Sequence, residues 1–266
     1  HSEELINEIL KERNCRDEVV IASKGGNDFY NPSKDSDEGY GAIVPNADKD
    51  YIIYACEQSL KRLDIEAIDI YQLHSHPTEL LERDDPWEAL ATLKEQGKIK
   101  HAGWSVQSFL ETEQAHFLDR HKDLIDVIQV RYNLLEREAE RVLLPKAKEH
   151  GIGVIVRIPI LFGLLSGKFD RKSTFGEDDH RRFNLSAEKL NEYLSQFEKL
   201  QPLFDEFPDQ HKVQIALRFC ITHPACTTAI PGGKTKEQVK QNIAASDLGP
   251  LPDKWIKKLN EILPLD

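Results

Sequence analysis

Polar side chains that can do chemistry follow a strand that is otherwise apolar. The run at residues 68–77 (IDIYQLHSHP) begins as a buried strand and ends with His74 and His76. Because successive side chains of a strand point to opposite faces, alternation places both histidines on the face that carries Gln72. A single strand-end histidine is more often a hydrogen-bonded structural residue, so this run alone leaves the role of the two histidines open.

The neighbouring strands supply partners for His74. Lys24 ends the strand before it, and Ser105 and Gln129 end the two strands after it. A strand-end lysine usually just reaches solvent, but four polar strand ends together indicate a site at one edge of the sheet. A lysine can lower the pKa of a nearby tyrosine, and a neutral histidine can hold a carbonyl oxygen while that tyrosine protonates it. These residue types therefore suit proton transfer to a carbonyl group.

Strand and helix patterns alternate along the chain. Apolar, β-branched runs predict strands at residues 18–23, 68–75, 99–105, 127–132, 153–159 and 227–230. Amphipathic patterns predict helices at 2–12, 48–63, 86–96, 111–120, 136–150, 185–204, 211–222, 235–245 and 252–263. A long polar loop is expected at 25–47, where substrate selectivity would lie.

This alternation predicts an α/β fold of parallel strands covered by helices, in one domain over residues 1–266. Six strands suit a doubly wound open sheet, whereas a (β/α)8 TIM barrel needs two more. The polar groups at successive strand ends favour the barrel, because barrel enzymes place reactive residues there. We therefore expect a (β/α)8 barrel whose first two strands precede His1.

The composition is that of an acidic globular chain. Its 35 basic and 46 acidic residues give a formal net charge of −11, which argues against nucleic acid or an anionic membrane as a partner. The apolar runs are shorter than the roughly 18 residues of a membrane span. The four cysteines show neither CxxC nor zinc spacing, so we expect reduced thiols, no metal site and a cytoplasmic protein.

Several motifs, in order along nearly the whole chain, resemble the aldo-keto reductase superfamily. They are ASK (22–24), SLKRL (59–63), IDIYQLH (68–74), GWS (103–105), VIQVRYN (127–133), GLLSGK (163–168) and IPGGKT (230–235). The resemblance implies a (β/α)8 barrel that reduces aldehydes and ketones with NADPH through an Asp-Tyr-Lys-His tetrad. Lys24 is then the tetrad lysine and His74 the tetrad histidine, while His76 has no tetrad role. The tetrad Asp and Tyr are expected upstream of His1.

The same resemblance implies cofactor residues. Ser105 and Gln129 would hold the nicotinamide carboxamide, and Arg157 stands where the family usually has a stacking aromatic ring. Residues expected around the pyrophosphate and adenosine are Gly163, Leu164, Lys168, Gly232, Gly233, Lys234, Gln238 and Asn242. Glycines allow close backbone approach, and Lys234 favours NADP over NAD. Taken alone, the Gly-Gly-Lys stretch fits a plain turn before a helix equally well.

Two departures from the family pattern leave alternatives open. Val106 replaces an amide-bearing Asn, and Arg157 replaces the ring. Both features support a cofactor-binding regulatory protein with little turnover. A barrel enzyme acting on phosphorylated sugars would instead need Ser105 and Gln129 to contact substrate. The acidic run at 177–182 (EDDHRR) is interpreted as a solvated loop or helix cap, with a lid as the alternative. The main prediction is an NADPH-dependent reductase of a small carbonyl substrate.

Overall fold

The computed structural model describes residues 1–33 and 42–265. The strands are β1 (Ala22–Gly25), β2 (Asn27–Ser33), β3 (Ala42–Pro45), β4 (Ile68–His74), β5 (Ile99–Ser105), β6 (Ile125–Arg131), β7 (Gly153–Arg157) and β8 (Thr228–Ala229). The helices are α1 (Ser2–Arg13), α2 (Lys49–Leu63), α3 (Thr78–Leu81), α4 (Asp85–Glu95), α5 (His116–Arg120), α6 (Leu143–Glu149), α7 (Arg181–Asn184), α8 (Ala187–Lys199), α9 (Gln201–Phe204), α10 (Lys212–Thr222), α11 (Lys236–Leu248) and α12 (Asp253–Ile262). Within the described residues, no helix combines the length and apolarity that crossing a bilayer needs.

The chain forms two compact units. The first contains residues 1–129 and 146–153, and the second contains residues 130–145 and 154–266. In the first unit, β1, β4, β5 and the greater part of β6 lie side by side in that order and run parallel. Helix α2 buries Ile52, Cys56 and Leu63 on one face, as its apolar spacing predicts. It ends at Asp64, which adopts a left-handed conformation and caps the helix through its backbone N–H.

The second unit contains the parallel pair β7 and β8 and most of the later helices. Ile155 pairs with Thr228, and Val156 pairs with Ala229. Helix α12 buries Trp255, whose indole N–H donates to the Leu203 carbonyl oxygen at 3.0 Å. Parallel strands separated by helical segments agree with the predicted α/β class. The prediction of a single domain over the whole chain stays a prediction.

Five predicted elements differ from the structure. The helices expected at 111–120 and 136–150 are α-helical only from His116 and Leu143 onwards, after short 3-10 turns. The loop expected at 25–47 contains the antiparallel pair β2 and β3, and its residues 34–41 lie outside the described part of the chain. The strand expected at 18–23 begins only at Ala22, because Arg16 donates to the carbonyl oxygens of Val19 and Ala67 and holds a short turn there. The helix expected at 185–204 divides into α8 and α9 just before Pro202.

In the first unit, the ring of His121 stacks on that of Trp87, and its burial predicts that stability depends on pH. The ring of His121 lies 4.0 Å from that of Trp87, with 18° between the planes. Burial lowers the pKa of His121 to about 4, and the charge of Arg120 acts in the same direction. The neutral ring is therefore the folded form, so its contribution to stability is complete above about pH 6.5 and is lost as the pH falls towards 4.

We expect the free energy of unfolding to fall by about 1–2 kcal/mol between pH 7 and pH 4 through this group, since the ring is only half-buried. Urea unfolding across that pH range measures the change. His121→Phe should remove this part of the pH dependence. His116→Phe is the control and should retain it, because His116 stacks on Phe117 at the surface. An unaltered pH profile in His121→Phe would contradict the prediction.

Candidate active site

Three of the predicted residues lie level with one another at the strand ends of the first unit. His74 pairs with Ser105 across β4 and β5, and Ser105 pairs with Gln129 across β5 and β6. Neighbouring strands are about 4.8 Å apart, so the three residues form a row along one edge. Lys24 pairs with Gln72, which places it two residues before His74 along the strand direction. We call Lys24, His74, Ser105 and Gln129 the strand-end group.

Backbone hydrogen bonds fix the positions of this group. The Ser75 N–H donates to the Ser105 carbonyl oxygen at 3.0 Å, and the Val106 N–H donates to the Gln129 carbonyl oxygen at 2.9 Å. The hydroxyls of Ser75 and Ser105 lie 3.1 Å apart. Ser105 and Gln129 are buried, whereas His74 is half-buried. The row therefore presents a partly accessible imidazole beside buried hydrogen-bonding groups.

The chain turns between His74 and His76, so the strand alternation expected from the sequence does not extend to His76. Ser75 has a φ of 51°, which ends the strand and turns the chain. His76 is fully buried against Gly26, where an added Cβ would lie 2.1 Å from its ring. Burial lowers the pKa of His76, although the backbone of Gly26 and Asn46 opposes this shift. His76 is thus a fully buried ring packed against Gly26, just after the end of β1, whereas His74 is half-buried.

The layer beneath the strand-end group is tightly packed. Gln72 is fully buried, and within the described residues its amide has no hydrogen-bond partner. Its Cγ would lie 2.7 Å from a Cβ added at Gly103, and the Val127 carbonyl oxygen would lie 3.1 Å from that Cβ. Real Cβ atoms essentially never show a contact of 2.7 Å, and 3.1 Å is unusually tight, so Gly103 is needed for Gln72 to fit.

The second unit contains a cavity of about 1030 Å³. Seven of the predicted cofactor residues line it, namely Gly163, Lys168, Gly232, Gly233, Lys234, Gln238 and Asn242. Leu164 lies instead in the hydrophobic core, and Arg157, at the end of β7, is also not among the lining residues. The structure therefore brings the predicted cofactor loops together around this cavity, whereas Leu164 and Arg157 do not line it.

The backbone around the cavity is unusual. Ile158, Phe162 and Gly163 all line it and have φ values of 56°, 53° and 92°. Left-handed conformations cost non-glycine residues free energy and are often found at functional sites. At Gly163 an added Cβ would lie 3.3 Å from the Lys168 ammonium nitrogen, so the glycine lets this cation lie close to the loop backbone.

Three cationic side chains line the cavity: Lys168, Arg181 and Lys234. Burial lowers the pKa of Lys168, and the charges of Arg181 and Lys234 lower it further. We call this the basic cavity after its three cations, which repel one another and can attract an anion. The carboxylates of Glu177, Asp178 and Asp179 line the same cavity. Sequence reasoning missed Arg181 because it lies in the acidic run interpreted as solvated. The structure places residues 177–181 of that run along the cavity, which favours the lid alternative.

Helix α11 begins beside the basic cavity. Thr235 caps the helix by accepting a hydrogen bond from the Gln238 N–H at 3.2 Å. Gln238 in turn accepts from the Lys234 N–H at 2.7 Å, and Asn242 donates to the Gly232 carbonyl oxygen at 3.3 Å. These bonds hold the Gly-Gly-Lys turn at a helix N-terminus, an arrangement that favours phosphate binding. Among the described residues, no group of three or more His, Cys, Asp or Glu could hold a metal ion.

Parallel strands connected by helices, with polar groups at their carboxyl ends, define an α/β protein of the class that binds ligands at that edge. The chain belongs to the aldo/keto reductase family, whose family model matches residues 1–264. It is 32% identical to the uncharacterized oxidoreductase YrpG of Bacillus subtilis over 260 residues, which is 94% of this chain and 73% of that protein. The family assignment confirms the predicted resemblance and an oxidoreductase activity.

Solved structures agree with this assignment. The chain is similar to the holo form of aldo-keto reductase AKR11C1 from Bacillus halodurans, with a TM-score of 0.74 and 26% identity, covering 98% of this chain and 77% of that one. It is also similar to the glycerol dehydrogenase AKR11B4 from Gluconobacter oxydans, with a TM-score of 0.79 and 25% identity, covering 100% and 79%. These structures are (β/α)8 barrels, so the predicted fold class is confirmed.

Proposed function

We propose that this protein reduces aldehyde or ketone carbonyls to alcohols with NADPH. The basic cavity is the observation that supports NADPH as the cofactor. Its three cations, its glycine-rich loops and the start of α11 suit the pyrophosphate and phosphate groups of a dinucleotide. A bound nicotinamide cofactor would supply the hydride that adds to the carbonyl carbon.

The strand-end group supports the chemical part of the proposal. The Ser105 hydroxyl and the Gln129 amide are buried hydrogen-bonding groups that suit a carboxamide. His74, level with Ser105 and half-buried, would donate a hydrogen bond to the carbonyl oxygen of the substrate. Lys24 would lower the pKa of the proton-donating tyrosine that the family's tetrad contains. Arg157 is proposed to stack its planar guanidinium on the nicotinamide ring.

The substrate class and setting follow from the family and the composition. We infer a small carbonyl compound as substrate, no nucleic-acid or membrane partner, and a cytoplasmic location. The net charge of −11 and four cysteines that form no disulfide support this setting. The relatives' oxidoreductase names favour an enzyme over the regulatory alternative.

Turnover with a panel of small aldehydes and ketones tests the proposal. We expect oxidation of NADPH, followed as the loss of nicotinamide absorbance, together with a fluorescence change when NADPH binds. NADH should support slower turnover, since it lacks the 2′-phosphate with which Lys234 is proposed to pair. Binding of NADPH without any carbonyl reduction would favour the alternative of a cofactor-binding regulatory protein. If neither nucleotide binds, the proposal is rejected.

Replacing Lys234 with alanine tests the cofactor preference. We expect the Kd for NADPH to rise about tenfold and the Kd for NADH about twofold, because a charge-assisted bond to phosphate is lost. Lys236→Ala is the matched control, since Lys236 lies in the first turn of α11 but does not line the basic cavity. Equal effects of Lys234→Ala on the two nucleotides would count against a 2′-phosphate contact.

A further inference from the structure

The loop at residues 176–184 brings a carboxylate into the basic cavity. Asp179 lines it together with Arg181. The Arg181 Nε donates to both carboxylate oxygens at 2.9 Å, and its Nη2 donates to Oδ2. The Arg181 backbone N–H also donates to Oδ1 at 3.0 Å. The Arg181 and Asp179 side chains are 20% and 24% exposed, so solvent screens this pair only partly.

Two aromatic rings hold the guanidinium in place. The Arg181 Cζ lies 5.6 Å from the ring centroid of Phe169 and 5.0 Å from that of Phe175. The two rings meet edge to face at 5.3 Å, so they form a corner around the cation. Cation–π attraction keeps Arg181 in the cavity whichever anion it binds. An incoming anion must therefore bind Arg181 in the position that this side chain already occupies.

Carboxylate and phosphate bind a guanidinium through the same forked edge. Asp179 uses the Nε and Nη2 edge of Arg181, which is one of the two forked edges through which a phosphate could bind. We propose that Asp179 is a built-in competitor of the cofactor's pyrophosphate, an inference that rests on the proposed function. Cofactor binding then exchanges one anion for another on Arg181, and Asp179 sets how tightly the cofactor binds.

The surrounding charges strengthen the competition. Lys168 and Lys234 line the same cavity, and the Asp179 charge offsets part of the repulsion between Lys168 and the other cations. While Asp179 stays in the cavity, an entering anion meets its negative charge beside the three cations. Once Asp179 leaves, Arg181 can pair with that anion, while Glu177 and Asp178 still line the cavity. Removing the charge of Asp179 should therefore tighten anion binding.

The test compares Asp179→Asn with Asp209→Asn in the complete protein. Asparagine keeps the size of the side chain and an oxygen that can accept from Arg181. Asp209→Asn removes the same charge from an exposed residue of the same unit that does not line the basic cavity. Each variant is titrated with NADPH by nicotinamide fluorescence and with inorganic pyrophosphate by calorimetry. Arg181→Gln is titrated in the same way.

We expect Asp179→Asn to lower the Kd of both ligands about five- to tenfold, and Asp209→Asn less than twofold. Arg181→Gln should raise both Kd values at least about tenfold. Weaker binding by Asp179→Asn, equal effects of the two asparagine variants, or no pyrophosphate binding by any variant would overturn the inference. If NADPH binds to no variant but pyrophosphate keeps the expected order, the proposed function fails while the competition by Asp179 is supported.

Discussion

Replacing His74 with alanine is expected to lower kcat for carbonyl reduction about 100- to 1000-fold, because the reacting oxygen loses its hydrogen-bond donor. The Kd for NADPH should change less than about twofold, since His74 is assigned to the substrate and not to the cofactor. Steady-state turnover with a reactive aldehyde gives kcat, and nicotinamide fluorescence gives the Kd. A loss confined to kcat distinguishes a group that contacts the reacting oxygen from one that only supports the fold.

His101→Ala is the matched control for this substitution. His101 lies on β5, where it pairs with Ile70 near the start of the strands, and its side chain is 56% exposed. The same change in side chain is thus made at the far end of a neighbouring strand, and kcat should stay within about twofold. Turnover that survives in His74→Ala, or an equal loss in both variants, would contradict the assignment of His74.

Replacing Gly103 with alanine is expected to lower the free energy of unfolding by about 2 kcal/mol or more, the cost of forcing a methyl group into a filled core. The added Cβ would lie 2.7 Å from the Gln72 Cγ and 3.1 Å from the Val127 carbonyl oxygen. Neither atom can move freely, since one belongs to a buried stem and the other to a central strand. Urea unfolding, read as a change in midpoint at constant slope, measures the loss.

Two further variants separate this clash from a general effect of alanine. Gly176→Ala makes the same chemical change where nothing lies within 4 Å of the new Cβ, so stability should change by less than about 0.5 kcal/mol. Gln72→Ala combined with Gly103→Ala should recover part of the loss, because only the contact with Val127 remains. If the double variant is as unstable as the sum of the single ones, Gln72 is not the cause.

Local patterns explain why much of the fold was predictable. Apolar runs with β-branched residues marked the parallel strands, and helical spacing marked α2 and the helices near the C-terminus. The antiparallel pair β2 and β3 was missed because non-local bonds support it. The Asn46 N–H donates to the Gly26 carbonyl oxygen at 2.8 Å, and the Tyr51 hydroxyl donates to that of Asn27 at 2.7 Å. Gly26 and Asn46 lie at opposite ends of the segment and Tyr51 lies beyond it, so no local pattern specifies these bonds.

The strand-end group was predictable for a simple geometric reason. Parallel strands end at one edge, so Lys24, His74, Ser105 and Gln129 needed only correct strand assignments to be grouped. The register then shows that three of them lie in one row, with Lys24 a step behind. Substitution experiments have still to test their roles in catalysis and cofactor binding.

The sequence by itself determined the order of parallel strands, the residues at their ends and the glycine-rich loops, because each depends on spacing along the chain. Only the tertiary structure decided how the two histidines differ in burial, since the chain turns at Ser75 and His76 is fully buried against Gly26 while His74 is half-buried. It also decided that the acidic run lines the basic cavity, where Asp179 pairs with Arg181 between two aromatic rings. Such pairings depend on how a loop packs, and no spacing of residue types specifies that packing.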